Sequence, residues 1–138
     1  MRTAIEQSLD EILRCPKQEL GRNFYARLFA ACPEARPFFE KIELRVQANI
    51  LVNSLHVIVS HDVYGYPAAH QFLMLTGARH HERGIPPELF PVFRDCLLQT
   101  IAEFYGDRWT ESLSTEWRRA LDTASAVMLQ GYRLTPAY

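Results

Sequence analysis

The stretch GARHHERGIPPELF, residues 77–90, places two adjacent histidines, His80 and His81, at the end of an apolar, helix-spaced segment and just before a glycine and a double proline. Neighbouring side chains on a helix diverge by about 100°, so one buried ligand is served by only one of the two. Neutral imidazole is the commonest protein ligand for transition metals. A zinc centre built from His70, His80 and His81 is excluded by spacing, because residues ten apart on a helix are separated by about 15 Å. The chain also contains no HExxH, glycine-rich phosphate loop, GxSxG or paired-cysteine site. What is left is a helix-borne histidine facing an apolar interior. Residue types alone leave two readings open: an ordinary hydrogen-bonded core histidine, or the ligand of a bound group.

The other chemistry-bearing residues are fewer. Tyr25 lies in NFYARLF, among Phe and Leu, and a buried phenol needs a hydrogen-bond partner that such neighbours do not offer. Gln47 and Leu51 are four apart, which sets them on one helical face. A glutamine near a helix start is also commonly solvated, and Phe39 beside Phe38 reads equally as plain core.

The elements that must position these residues are helices. Apolar residues recur at helical spacing in Leu20, Phe24, Leu28; in Leu51, Leu55, Ile58; in Leu89, Phe93, Leu97, Ile101; and in Trp117, Leu121, Ala124, Met128. No segment alternates as a strand would. Pro16 separates a first helix over about 3–14 from a second over about 17–31, and Pro33 and Pro37 force a corner around PEARPFFE. A third helix is predicted over about 44–60, with HDVYGYP as a loop and a fourth helix over about 68–81. The fifth is predicted to start at Pro87, and the sixth to be capped by Thr110 and run to about Tyr132. The expected class is therefore all-α.

At 138 residues the chain makes a single domain, 1–138, large enough to bury roughly 70% of the surface of its unfolded form. Fifteen Lys and Arg against 16 Asp and Glu, with no basic stripe, point to neither nucleic acid nor a membrane surface as partner. Cys15, Cys32 and Cys96 form no CxxC, and no leader-like or membrane-spanning segment is legible, so a cytoplasmic protein with reduced thiols is expected. A small neutral ligand suits this surface best.

The segment FYARLFAACPEARPFFE, with LTGARHHERGIPPELFPVFRDCLLQTIAEFYGDRWTESLSTEWRRALDTASAVM, resembles the bacterial single-domain globins and the globin domain of flavohaemoglobins. The resemblance implies a three-over-three helical sandwich around haem b. It implies His80 as the iron ligand, since Ile85 and Pro87 stand five and seven residues beyond it, and turns His81 outward. Tyr25 and Gln47 would line the open side of the haem, with Val46 competing for Gln47's place. Phe39, Leu51, Ile85, Phe90 and Met128 would contact the porphyrin. The implied function is reversible binding of oxygen or another diatomic gas. Nitric oxide dioxygenation with a separate reductase and a haem-free sensor module are the alternatives, and self-association as a homodimer stays open. Two positions depart from the flavohaemoglobin pattern: the tyrosine and glutamate of the proximal relay are here Phe90 and Tyr132, so the carboxylate is lost.

Overall fold

The computed structural model describes residues 2–134. Among them are six α-helices and no strand: α1 (Ala4–Arg14), α2 (Lys17–Ala31), α3 (Leu44–Tyr64), α4 (Pro67–Glu82), α5 (Leu89–Tyr105) and α6 (Glu111–Gly131). The corner forced by the two prolines is a 3₁₀ helix, Pro33–Phe39, and a shorter one spans Gly106–Arg108. Thr3 and Glu6 start α1 with a reciprocal capping box, and the Thr110 hydroxyl accepts the Leu113 N–H at 3.0 Å to start α6.

Two boundaries differ from the expectation. HDVYGYP is not a loop over its whole length: α3 continues through His61, Asp62, Val63 and Tyr64, leaving Gly65 and Tyr66 as the connection. Those four residues are helical because tertiary contacts hold them. Asp62 receives two hydrogen bonds from Arg119 of α6, and the Tyr64 hydroxyl donates to Glu6 of α1. The helix stops only where Gly65 turns left-handed, at φ 65°. Helix α5 begins at Leu89 and not at Pro87, because Pro86 and Pro87 instead form a turn whose carbonyls accept the Leu89 and Phe90 N–H groups, each at 3.1 Å.

Helices α1, α3 and α4 pack as one layer on α2, α5 and α6 as the other, a three-over-three sandwich. Helix α4 lies on α6, while α3 crosses both α2 and α6. Trp117, Phe24, Leu28, Leu55 and Ile101 are fully buried between the layers. The indole N–H of Trp117 donates to the Ser8 hydroxyl at 3.0 Å, so this large core residue also leaves no unpaired donor. The helices approach closely at glycines: a Cβ on Gly21 would lie 2.4 Å from that of Ala48, which brings α2 against α3. No helix of the described residues is long and apolar enough to cross a membrane.

Candidate functional site

Between α3 and α4, and floored by α2, α5 and α6, lies a cavity of about 200 Å³ whose walls are mostly hydrocarbon. All eight residues singled out from the sequence line it: Tyr25, Phe39, Gln47, Leu51, His80, Ile85, Phe90 and Met128. They come from five helices and two connections, so only the packed fold brings them together.

Helix α4 delivers the histidine. The His80 Nδ1–H donates to the Thr76 carbonyl one turn earlier at 2.8 Å, which fixes both tautomer and ring orientation. Nε2 is then the ring nitrogen left for a ligand. Burial holds the ring below the ordinary histidine pKa, Arg83 nearby adds to this, and the Thr76 bond opposes it. His80 is therefore a neutral imidazole near pH 7. His81 is exposed, with its ring centre 4.9 Å from that of Tyr132.

The turn beyond α4 is tied to this histidine. The Ile85 N–H donates to the His80 carbonyl at 3.1 Å, and the Ile85 carbonyl accepts the Tyr132 hydroxyl at 2.7 Å. Phe90 sits 6.4 Å from the His80 ring and meets Tyr132 edge to face at 5.7 Å. Tyr132 thus serves the backbone of the turn and does not accept from His80.

Helices α2 and α3 supply the polar groups. Tyr25 is 4% exposed and packed against Phe24 and Phe39 at 4.8 and 5.2 Å between ring centres. Desolvation pushes its hydroxyl up to about 12, opposed by a hydrogen bond from the Gln47 side chain. The phenol stays protonated and free to donate. Val46, which competed with Gln47 on sequence, is 48% exposed on the outer face of α3, while Gln47 lines the cavity. The Gly21–Ala48 contact sits next to Gln47 and sets its helix against the one bearing Tyr25.

Sequence reasoning missed Phe93, Leu97, Leu121 and Ala124 as cavity walls. Their helical register with Phe90 and Met128 was the available signal. It also missed Arg83 and Arg94, the two cations at the cavity, the second braced at 3.0 Å by Asp122. No local pattern marks either.

One imidazole nitrogen, the Tyr25 and Gln47 side chains, the hydroxyls of Ser54, Thr76 and Ser125, two cations and a mostly hydrocarbon wall make a donor set for an apolar group carrying a single-site metal and acidic substituents. Among the described residues no three His, Cys, Asp or Glu gather to hold a bare metal ion.

A sequence profile described as Globin matches residues 22–128. Leghemoglobin-1 of Lupinus luteus is 35% identical over 66 residues, 48% of this chain and 43% of the relative. The leghemoglobin of Medicago sativa is 44% identical over 52 residues, 37% and 35% of the two chains. Leghemoglobin alpha of Phaseolus vulgaris is 36% identical over 56 residues, 41% and 38% of the two. The matched stretches span less than half the length of each of these curated relatives. They are plant proteins, so they carry the family and not the bacterial subgroup that the motifs resemble.

Proposed function

This chain belongs to the globin family, and from that premise we propose that it holds haem b in the α3–α4 cavity and binds oxygen or another small diatomic gas reversibly. The observation that carries the reading is His80: its Nδ1 is committed to the Thr76 carbonyl, its ring is kept neutral, and its Nε2 is left for iron. Haem held there would supply an iron able to bind a small gas. The residues of the chain do the rest. Phe39, Leu51, Ile85, Phe90 and Met128 would hold the porphyrin in an apolar cage that excludes water, and Arg83, with Arg94 already paired to Asp95 and Asp122, would face its acidic substituents. The Tyr25 hydroxyl and the Gln47 amide offer donors to a polar gas ligand, holding it more firmly than an apolar one.

Within the family, the motifs around Tyr25, His80 and Trp109 support a place beside the bacterial single-domain globins, and the near-neutral charge and three free thiols support a cytoplasmic setting. A carrier is favoured over nitric oxide dioxygenation because the proximal carboxylate is absent and the one N–H of His80 is given to the neutral Thr76 carbonyl.

The test is an absorption spectrum of the purified protein, as isolated and after haem addition. A strong haem band that shifts when carbon monoxide is added to the reduced protein is the expected result. A protein that takes up no haem overturns the reading and leaves a haem-free globin-fold module.

A further inference from the structure

Away from the cavity, at the corner joining α3 to α4, two histidines meet. Nε2 of His61 lies 3.4 Å from Nδ1 of His70, within hydrogen-bonding reach, with the rings 5.5 Å apart. The second nitrogen of His61, Nδ1, is buried and has no hydrogen-bond partner. We propose that this pair is an acid-sensitive latch that holds the α3–α4 corner closed while both rings are neutral. It does not depend on what the cavity binds.

The argument is one of proton positions. A buried N–H without an acceptor is rarer than a bare lone pair, so the His61 proton belongs on Nε2, where it donates to His70. Protonating His61 would add an N–H at Nδ1, where nothing accepts it. Protonating His70 at Nδ1 would set two N–H groups against each other across the 3.4 Å contact. A proton on His61 is left buried without an acceptor, and one at Nδ1 of His70 faces the Nε2–H of His61, so the geometry favours the closed contact with no added proton. Of the charged groups around the corner, Asp62 on α3 favours a charged ring but is held by Arg119 of α6 at 3.0 and 3.2 Å, and Glu6 of α1 is bonded by Tyr64. Burial lowers the His61 pKa, His70 lowers it further, and Asp62 opposes both. The same contact is no metal centre. No third ligand joins it among the described residues, and a metal on Nε2 would force a proton onto the unpartnered Nδ1.

The sign follows from a lowered folded-state pKa. The unfolded chain binds the proton more readily, so the latch contributes its full stability above about pH 6.5 and loses it as the pH falls from there toward the lowered value. His70 lies in the first turn of the helix that carries His80 about three turns later. Acid therefore loosens the start of the helix that positions the cavity's ligand.

Two amides report on the corner: Gly65 N–H, bonded to the His61 carbonyl, and His70 N–H, bonded to the Tyr66 carbonyl. In the full chain, ring-nitrogen NMR should show His61 neutral and protonated on Nε2 at pH 7.5, and still neutral where exposed histidines have titrated. After correction for intrinsic rates, both amides should exchange roughly fivefold faster at pH 5 than at pH 7.5, the effect of losing one hydrogen bond. His61→Phe should abolish that pH dependence, and His70→Asn should do so where His61→Phe does not fold; His81→Asn should preserve it. A His61 ring that titrates at the ordinary value with the corner unchanged overturns the proposal. So does an acid effect that persists in both variants.

Discussion

A Cβ placed on Gly77 of α4 would sit 1.9 Å from the carbonyl oxygen of Met128 in α6, so these helices touch backbone to backbone at that point. Gly131 repeats the contact from the other side, 2.1 Å from the Met74 carbonyl oxygen. His80 is the next turn along α4, and its placement depends on this crossing.

Gly77→Ala should therefore push α4 off α6. Alanine gains about 1 kcal/mol of helix propensity over glycine, but a methyl driven into backbone costs more than the roughly 1–3 kcal/mol of ordinary overpacking. The net loss should be at least about 2 kcal/mol by urea denaturation, with faster haem loss from the loaded protein. An unchanged urea midpoint would show that the helices stand further apart than described.

Tyr25 and Gln47 share one wall chemistry, a protonated phenol next to a carboxamide, and both face the cavity. Oxygen bound to ferrous haem carries partial negative charge, whereas carbon monoxide is far less polar. A donor to a charged partner is worth roughly 1.5–3 kcal/mol, or about 10- to 150-fold in release rate. Tyr25→Phe should speed oxygen release by at least about tenfold and leave carbon monoxide affinity nearly unchanged. Equal effects on both gases in flow-flash kinetics would mean that the tyrosine acts through shape.

The fold was legible because its helices carry clean apolar faces and their ends carry strong local signals. Thr110, Pro16 and the Pro33–Pro37 corner all lie where local chemistry placed them. One boundary error, the start of α5, came from the local Pro86–Pro87 turn, and the other came where distant partners decide. Residues 61–64 read as loop because Arg119 and Glu6, which hold Asp62 and Tyr64 in the helix, are 57 and 58 residues away in sequence. The lining of the cavity was legible only through family likeness, since nothing local says that Tyr25 and His80 face one space. Gly21 and Gly77 gave a usable hint, because a glycine inside a helix is costly unless something approaches closely. Arg83 and Arg94 gave none, and neither did the His61–His70 contact, which arises only once the corner closes.

His80 and His81 are neighbours with opposite surroundings, one lining the cavity and one exposed against Tyr132. His80→Ala should abolish or greatly weaken haem retention, while His81→Ala should leave the absorption spectrum unchanged. Haem affinity should also depend on pH in a defined direction. Nε2 must be unprotonated to bind iron, and burial holds the His80 pKa below its ordinary value. Affinity should then be flat from pH 8 to about 6.5 and fall only at lower pH, once the lowered value is passed. Loss of affinity already at pH 7 would place the ring in water. Emptying of the pocket by His81→Ala would shift the proximal assignment by one residue.

The proximal bond decides what an iron held by His80 could do. A carboxylate accepting from Nδ1 would give the ring imidazolate character and favour oxygen activation over simple binding. Here the acceptor is the neutral Thr76 carbonyl at 2.8 Å, which takes the one N–H of His80, and the Tyr132 hydroxyl instead bonds the Ile85 carbonyl at 2.7 Å. The iron–histidine stretch of the ferrous protein should therefore be low, as in oxygen carriers, with peroxidase turnover well below that of flavohaemoglobins. Tyr132→Phe isolates the two roles a phenol could have at this place. Losing its bond to Ile85 should cost roughly 1 kcal/mol of stability, and the stretch should not move, because the phenol does not touch His80. Resonance Raman on both proteins settles it: a high stretch in the unaltered protein, or one that shifts in Tyr132→Phe, would mean that Tyr132 polarises His80 after all, and nitric oxide dioxygenation would then displace gas carriage as the better reading.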